Sequence, residues 1–269
     1  MLNGLNEHWT VARRSGLLYL QCLPFLEFDW AAHGFSLRTD EAGVEFDLGR
    51  TAAADDPVVQ ARRRRFLAGM GLESTTLVLL EQVHGDRVAI LGSLERRTGV
   101  AAPLVIPSAD GAVSGEPGLA LSIRYADCAA ILLLDPAARI VAAVHAGWRG
   151  AAAGIAARAV EKMSSLGAEP RRILAAIGPA IGPCCYTVGK DVAARVPEEA
   201  RPAVLQGLPG DLRLDLVGLN RWWLREAGLL PENVFPSGQC THCRPDLFHS
   251  HRREGRAAGR MMAAIARLR

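Results

Sequence analysis

The sequence predicts an α+β fold in which mixed β-sheets are layered with helices in a single domain. Two nearly all-apolar runs, 129–135 and 139–145, flank Pro136-Ala137-Ala138, which is typical of a hairpin covered on both faces. Segments of helical periodicity alternate with such strand patterns along the chain. The 269 residues contain no repeat, no low-complexity linker and no break in composition. One domain is therefore expected, although the chain is long for one.

The N-terminal segment resembles a signal peptide in part. Arg13-Arg14 precedes an apolar run over 16–26, but a glutamine and a proline interrupt this run. No small-x-small cleavage site closes it. We interpret residues 1–23 as a loose N-terminal extension that leads into a first strand, and residues 24–269 as the single domain.

The remaining elements follow from periodicity and turn signals. A helix is predicted over 57–70, and a strand over 119–123 follows the turn Gly115-Glu-Pro-Gly118. An alanine-rich helix is predicted over 151–166, where Gly167 stops it. The other predicted elements are strands 88–91 and 173–177, an amphipathic helix 216–227 and a closing helix 257–268.

Composition and charge exclude several classes of partner. Lys and Arg number 31 against 28 Asp and Glu, so the net charge is +3. No basic stripe indicates a nucleic-acid or membrane surface, and no run approaches the ~18 apolar residues of a membrane span. The six cysteines lack a disulfide-rich context and are interpreted as reduced thiols or ligands. We therefore expect a cytoplasmic protein without nucleic-acid or membrane partners.

The hairpin brings a thiol and an imidazole together. If its loop has two residues, Cys128 faces His145; if it has three, Cys128 faces Ala146. Directly opposed Cβ atoms lie ~5 Å apart, so both side chains could bind one metal ion. Spacing alone favours a metal site and a Cys–His nucleophile pair equally. His84 is a natural third member because Gly85 permits a sharp reversal, but spacing does not place it there.

A second cysteine motif offers a rival site. Cys240-Thr-His-Cys243, with His249 and His251 downstream, could form a structural zinc site. Only one such cysteine pair occurs, and the histidine spacing does not match a zinc finger. We therefore favour a loop at the mouth of the active site, and interpret Cys184-Cys185 as core or loop thiols.

Five ordered motifs make the chain recognisable. They are Glu81-Gln-Val-His-Gly85, Ala109-Asp-Gly111, Tyr125-Ala-Asp-Cys128, His145-Ala-Gly-Trp-Arg-Gly150 and Ile177-Gly-Pro-Ala-Ile-Gly-Pro-Cys-Cys-Tyr186. Together they resemble the YfiH family, which is variously labelled polyphenol-oxidase laccase, peptidoglycan editing factor and purine nucleoside phosphorylase. The resemblance extends from about His33 to the C-terminus, so residues 24–269 are expected to form a YfiH-like catalytic domain.

The resemblance implies a metal site and a reaction. His84, Cys128 and His145 correspond to the catalytic zinc ligands of the family, although copper is possible. Phosphorolysis of adenosine, inosine or methylthioadenosine to the free base and ribose 1-phosphate is implied, with some adenosine deamination. The expected partners are thus a purine nucleoside and phosphate.

Four further residues are candidates for this site. His33-Gly-Phe-Ser-Leu-Arg38 resembles the N-terminal active-site segment of the family, which implies that Ser36 and Arg38 lie near the substrate. Arg149 and Arg38 are candidates for binding phosphate, because guanidinium groups match its geometry. Asp127 is a candidate to orient a ligand or to transfer a proton, and equally a strand-end cap.

Other functions stay open at this point. A copper-dependent polyphenol oxidase normally needs many histidines around several metals, and only two of the seven lie in the core motifs. A peptidoglycan-precursor amidase could use Cys128 as nucleophile and His145 as base. A binding module without activity fits poorly with an open three-ligand site. The protein is expected to be a monomer or a homodimer.

Overall fold

The structure, a computed structural model, describes residues 5–51, 56–92, 103–208 and 210–268. Its strands are β1 (Trp9–Arg14), β2 (Leu17–Cys22), β3 (Ala31–Ser36), β4 (Thr76–Leu80), β5 (Val88–Leu91), β6 (Leu104–Ile106), β7 (Gly111–Ser114), β8 (Leu119–Tyr125), β9 (Ala129–Asp135), β10 (Ile140–Ala146), β11 (Leu174–Ile177), β12 (Thr187–Val188), β13 (Leu205–Gln206), β14 (Leu212–Leu214), β15 (Val234–Pro236) and β16 (Met261–Arg267). Its helices are α1 (Pro57–Gly69), α2 (Trp148–Ala152), α3 (Ile155–Ser165), α4 (Lys190–Ala193), α5 (Arg201–Val204), α6 (Leu216–Glu226) and α7 (His251–Glu254).

Two mixed sheets form the centre of the fold. The seven-stranded sheet has the order β1-β2-β3-β16-β8-β4-β6, and the six-stranded sheet has the order β15-β11-β9-β10-β7-β5. A small sheet of order β12-β14-β13 accompanies them. Both large sheets contain parallel and antiparallel pairs. The predicted α+β fold with mixed sheets is confirmed.

The layers follow from the side chains of β9. Ile131 and Leu133 belong to a core shared with α3 and α6, whereas Leu132 and Leu134 belong to a core shared with the seven-stranded sheet. Successive residues of a strand point to opposite faces, so the six-stranded sheet lies between the helices and the other sheet. A third core packs α1 on the outer face of the seven-stranded sheet. All seven residues of β9 and of β10 are buried, as predicted for a hairpin covered on both faces.

The predicted C-terminal helix over 257–268 is wrong. This segment contains β16, which lies inside the seven-stranded sheet between β3 and β8. Alanines at 263, 264 and 266 favour a helix locally, but burial on both faces decides the outcome. A continuous apolar run does not distinguish a buried strand from a buried helix by its periodicity.

The N-terminal segment also differs from the expectation. Residues 9–22 form the antiparallel hairpin β1–β2, which pairs with β3, so this part is not loose. Leu17 and Tyr19 face one core, whereas Leu20 and Cys22 face another. The apolar run that imitated a signal peptide is therefore a strand covered on both faces. The domain boundary after residue 23 stays a prediction.

The predicted alanine-rich helix over 151–166 is divided into α2 and α3. Gly154 separates them with a φ of 81°, and a Cβ there would lie 3.2 Å from the Trp223 ring. Helices 57–69 and 216–226 and strands 88–91 and 129–135 match their predictions to within a residue. No helix in the described ranges combines the length and the apolar character needed to cross a bilayer.

Candidate active site

A cavity lies where strands of both large sheets end. It has a volume of about 510 Å³. The segment Tyr125-Ala-Asp-Cys128, which joins β8 to β9, crosses here from one large sheet to the other. The cavity lining includes all three residues of the predicted triad, namely His84, Cys128 and His145.

The triad side chains converge on a single point. His84 lies in the loop between β4 and β5, Cys128 immediately before β9, and His145 near the end of β10. One ligand atom of each lies within 4.8 Å of the others. The two imidazole rings are 4.9 Å apart between centroids, at an angle of 85°. The structure thus brings together the three residues that the resemblance implied.

The register of the hairpin differs from both predicted versions. Asp135 pairs with Ile140, and Ala130 pairs with His145, so the loop has four residues instead of two or three. The carboxylate of Asp135 accepts hydrogen bonds from the backbone N–H groups of Ala137 and Ala138, at 2.8 and 2.9 Å. This side-chain cap favours the longer turn. The thiol of Cys128 consequently lies diagonal to His145.

The buried carboxylate of Asp110 contacts two members of the triad, at the His145 ring and at the backbone of His84. Asp110 Oδ1 lies 2.8 Å from His145 Nδ1. The same carboxylate accepts backbone N–H groups of Val83, His84 and Gly85 at 3.1, 3.0 and 2.8 Å. The contact with Asp110 assigns the proton of His145 to Nδ1, which leaves Nε2 as the metal-ligating atom. One carboxylate therefore positions both imidazoles.

The charges of the triad are coupled. Burial raises the pKa of the Cys128 thiol, but the imidazoles of His145 and His84 outweigh it and lower that pKa to about 6. Burial lowers the pKa of His145, but the Cys128 thiolate and the Asp110 carboxylate raise it to about 9. The thiolate is the form that binds metals and that attacks as a nucleophile. Charge alone is therefore compatible with both chemistries predicted from the hairpin.

The donor set and the surrounding backbone fit a metal ion. Two imidazoles and one thiolate suit zinc, which in catalytic sites has three protein ligands and one open position; the same donors also suit copper. A Cβ at Gly147 would lie 3.0 Å from His84 Cδ2 and 3.1 Å from Cys128 Sγ, so a side chain there would crowd the triad. His84 and Asp127 have φ angles of 60° and 92°. Such strained backbone is concentrated at functional sites.

Asp127 lines the cavity and connects it to two other segments. Its carboxylate accepts a hydrogen bond from Thr241 Oγ1 at 2.5 Å and from the backbone N–H of Arg252 at 2.6 Å. Both oxygens are thereby engaged, so Asp127 ties the 237–247 loop and the start of α7 to the triad. Arg149 also lines the cavity, with its guanidinium 4.4 Å from the centroid of the Trp148 ring. The catalytic roles of Asp127 and Arg149 stay predictions.

Ser36 and Arg38 do not line the cavity. Ser36 is buried on β3, where its hydroxyl accepts the backbone N–H of Met262 at 2.9 Å. Arg38 forms ion pairs with Glu254 and Glu45. The structure therefore does not place either residue with the triad at the cavity lining, and their proximity to a substrate stays a prediction.

Several site residues escaped the sequence analysis. Asp110 was visible only as the centre of the Ala109-Asp-Gly111 motif. Four arginines from separate segments of the chain also converge on the cavity, and the sequence analysis assigned none of them to the site. They are Arg50, Arg124, Arg252 and Arg260.

Arg124 is the most constrained of these arginines. Its side chain is buried, and Nη1 has no hydrogen-bond partner in the described part of the chain. Burial, together with the nearby charges of Arg63 and Arg260, lowers its pKa to about 10. Cations held this close to one another in a cavity favour an anionic ligand.

The layered fold and the His–Cys–His cluster define a candidate metal site, and comparisons with known proteins identify the family. Residues 32–268 match the family model described as multi-copper polyphenol oxidoreductase laccase. The chain is 36% identical over 230 residues to a protein named purine nucleoside phosphorylase YlmD from Geobacillus stearothermophilus, covering 83% of this chain and 84% of that one. It is 37% identical over 236 residues to a purine nucleoside phosphorylase of Deinococcus radiodurans, covering 87% and 88%.

The fold leads to the same group of proteins. The crystal structure of the hypothetical protein YfiH from Bacillus licheniformis superposes with a TM-score of 0.84 at 28% identity, covering 97% of this chain and 99% of that one. The chain belongs to the YfiH family. The resemblance seen in the motifs is confirmed.

Proposed function

We propose that the chain is a zinc-dependent purine nucleoside phosphorylase. It would convert adenosine, inosine or methylthioadenosine and phosphate into the free base and ribose 1-phosphate, and would also deaminate adenosine. The observation that carries the proposal is one cavity that contains a three-ligand metal set beside a group of arginines. The names of the relatives support the same reaction.

The arginines supply the phosphate site. Arg124 Nε and its backbone N–H donate to Gln82 Oε1 at 3.3 and 2.9 Å, and Nη2 donates to the Leu80 carbonyl at 2.6 Å. These bonds fix the guanidinium at the cavity lining, where its buried Nη1 has no hydrogen-bond partner among the described residues. Arg260 and Arg50 provide further positive charge. A rigid guanidinium is a good phosphate ligand because its N–H groups match the phosphate oxygens.

Aromatic residues in the cavity lining suit a planar base. Arg252 lies 5.0 Å from the centroid of Tyr186, and Arg149 packs in a similar way on Trp148. Flat arginine–aromatic pairs form surfaces on which a purine can stack. Ile181 and Leu216 add apolar area to the lining.

Zinc bound by His84, Cys128 and His145 would act as a Lewis acid facing the cavity. Asp110 would hold His145 and the backbone of His84 in position for this ion. Among the described residues, the metal-ligand clusters are this triad and a group of four cysteines. A multi-copper oxidase would need further histidine clusters, and the described part of the chain contains none.

The coupled thiol and imidazole favour one other function. Cys128 and His145 stabilise each other as thiolate and imidazolium, which is the arrangement of a cysteine nucleophile beside its base. An amidase acting on peptidoglycan precursors is therefore the second candidate.

A cytoplasmic location is supported by the six unpaired cysteines, and the choice between monomer and homodimer stays a prediction.

The proposal is tested with zinc-loaded protein, adenosine and inorganic phosphate. We expect adenine and ribose 1-phosphate in equal amounts, and their formation should require phosphate. Inosine formed without phosphate would report the deaminase activity separately. Absence of any phosphate-dependent product at every zinc loading would contradict the phosphorylase.

The phosphate site leads to a second prediction. Arg124→Gln is expected to raise the KM for phosphate at least about tenfold, since a hydrogen bond to a charged group contributes ~1.5–3 kcal/mol. Steady-state rates at varied phosphate concentration measure this change. Arg225→Gln is the matched control, because Arg225 lies exposed on α6 and pairs with Glu226. An equal change of KM in both variants would exclude a specific role for Arg124.

A further inference from the structure

Four cysteines from two distant segments converge outside the cavity. Cys184 and Cys185 follow the Gly178-Pro-Ala-Ile-Gly-Pro183 loop, and Cys240 and Cys243 lie in the segment after β15. All four Sγ atoms lie within 4.8 Å of one another. Cys243 Sγ is 3.3 Å from Cys185 Sγ and 3.6 Å from Cys184 Sγ. None of the four lines the cavity.

This arrangement has the dimensions of a tetrahedral metal site. Four thiolates about 2.3 Å from one zinc ion lie about 3.8 Å from one another. The Sγ–Sγ distances from Cys243, 3.3 and 3.6 Å, are slightly shorter than that value, and all four Sγ atoms lie within 4.8 Å of one another. We propose that Cys184, Cys185, Cys240 and Cys243 bind one structural zinc ion, distinct from the metal of the His84–Cys128–His145 triad. Four cysteine ligands leave no open position, so this ion would have no catalytic role.

The surrounding backbone supports thiolate ligands. The N–H of Gly182 donates to Cys240 Sγ at 3.3 Å. Hydrogen bonds of this kind orient and stabilise ligating groups in metal sites. A Cβ at Gly182 would lie 3.3 Å from Cys184 Sγ and 3.4 Å from Cys240 Cβ. A glycine at this position therefore lets the two segments approach closely.

The histidines considered in the sequence do not complete the site. His251 Nδ1 contacts the carbonyl of Gly255 at 2.9 Å, and His249 is buried beside Gly259. The missing ligands for the Cys240-Thr-His-Cys243 motif are Cys184 and Cys185, interpreted from the sequence as core or loop thiols. Only the fold brings the two cysteine pairs together.

The ion would fasten one wall of the active-site cavity. The two segments already exchange backbone hydrogen bonds: Ala180 N–H donates to Gln239 O at 3.2 Å, and Thr241 N–H donates to Ala180 O at 3.0 Å. Thr241 in turn donates to Asp127, and Tyr186 lines the cavity. A metal cross-link between segments this far apart in sequence removes much of the entropy of the unfolded chain.

Metal content of the full chain, purified with a reductant, tests the proposal. We expect about two zinc ions per chain, one at the closed four-cysteine site and one at the open site of the His84–Cys128–His145 triad. Cys240→Ser/Cys243→Ser should lose one ion and retain the triad ion, and its Tm should fall by roughly 5 °C or more. Cys128→Ala should lose the other ion. Full zinc retention by the double variant would overturn the proposal.

A measurement on the unmodified chain guards against a double variant that fails to fold. Cys184 and Cys243 are exposed, so unbound thiols at these positions should react at once with a thiol reagent. We expect them to resist the reagent until a chelator removes the zinc. Immediate reaction before chelation, or reaction only after reduction of a disulfide, would overturn the proposal. The Cys22→Ser variant is the control, because it removes the buried thiol on β2 and so shows whether that thiol contributes to the measured reaction.

Discussion

Replacing Cys128 with alanine is expected to remove the triad zinc and to lower phosphorolysis at least about 1000-fold. Two imidazoles remain, whereas catalytic zinc sites use three protein ligands. A bound metal contributes several kcal/mol to stabilising charge in the transition state, and ~4 kcal/mol corresponds to about a thousandfold change in rate. Zinc content and the rate of adenine release, measured on the same preparation, check the two losses together.

A second replacement distinguishes a ligand from a nucleophile. Cys128→Asp supplies a carboxylate oxygen, which can bind zinc, so partial zinc content and partial activity are expected. A carboxylate would not replace the attacking sulfur of the amidase mechanism. Cys22→Ala is the control, since Cys22 is a free cysteine buried in the core between the sheets. Full zinc content and full activity in Cys128→Ala would contradict both roles.

The hairpin shows why a prediction that is wrong in detail can still locate a site. The true register differs by two residues from the two-residue loop, because the Asp135 side chain caps a longer turn. A slip by one residue moves a side chain to the opposite face of a strand, whereas a slip by two residues does not. Cys128 and His145 therefore remain neighbours.

Elements covered on both faces limited the prediction of the fold. One reason explains why 257–268 contains a strand instead of the predicted helix, and why the segment expected to be loose before residue 24 contains the β1–β2 hairpin. Both contain apolar strands whose two faces are buried, and such strands lack the period of two that marks a half-buried strand. By contrast, β9 and β10 were found because β-branched residues and a proline turn accompany their apolar runs.

The site shows a similar division between local and tertiary information. His84, Cys128 and His145 lie in recognisable motifs. Asp110 and Arg124, however, act through partners that only the fold supplies. Arg38 lies in the segment that resembles the family, yet Glu254 binds its guanidinium from more than 200 positions away. The sequence gives no sign of this partner, nor of the position of Arg38 outside the cavity lining.

Asp110→Asn is expected to weaken zinc binding at the triad and to lower activity by about 10- to 100-fold. The carboxylate accepts hydrogen bonds from three backbone N–H groups and contacts His145 Nδ1. An asparagine amide has only one accepting oxygen, so its NH₂ group would meet a donor. His145 would then lose the contact that directs Nε2 towards the metal, and the loop of His84 would lose part of its support.

Competition with a chelator measures zinc affinity, and the phosphorolysis assay measures activity. Asp135→Asn is the matched control, because Asp135 is also fully buried and accepts backbone N–H groups, but in the hairpin turn and from Glu169. Both variants should lose stability, whereas only Asp110→Asn should release the triad zinc to a weaker chelator. The zinc at the four cysteines should be retained in both. Equal zinc affinity and equal activity in the two variants would show that Asp110 serves the fold and not the metal, because a buried carboxylate that merely satisfies backbone amides affects stability alone.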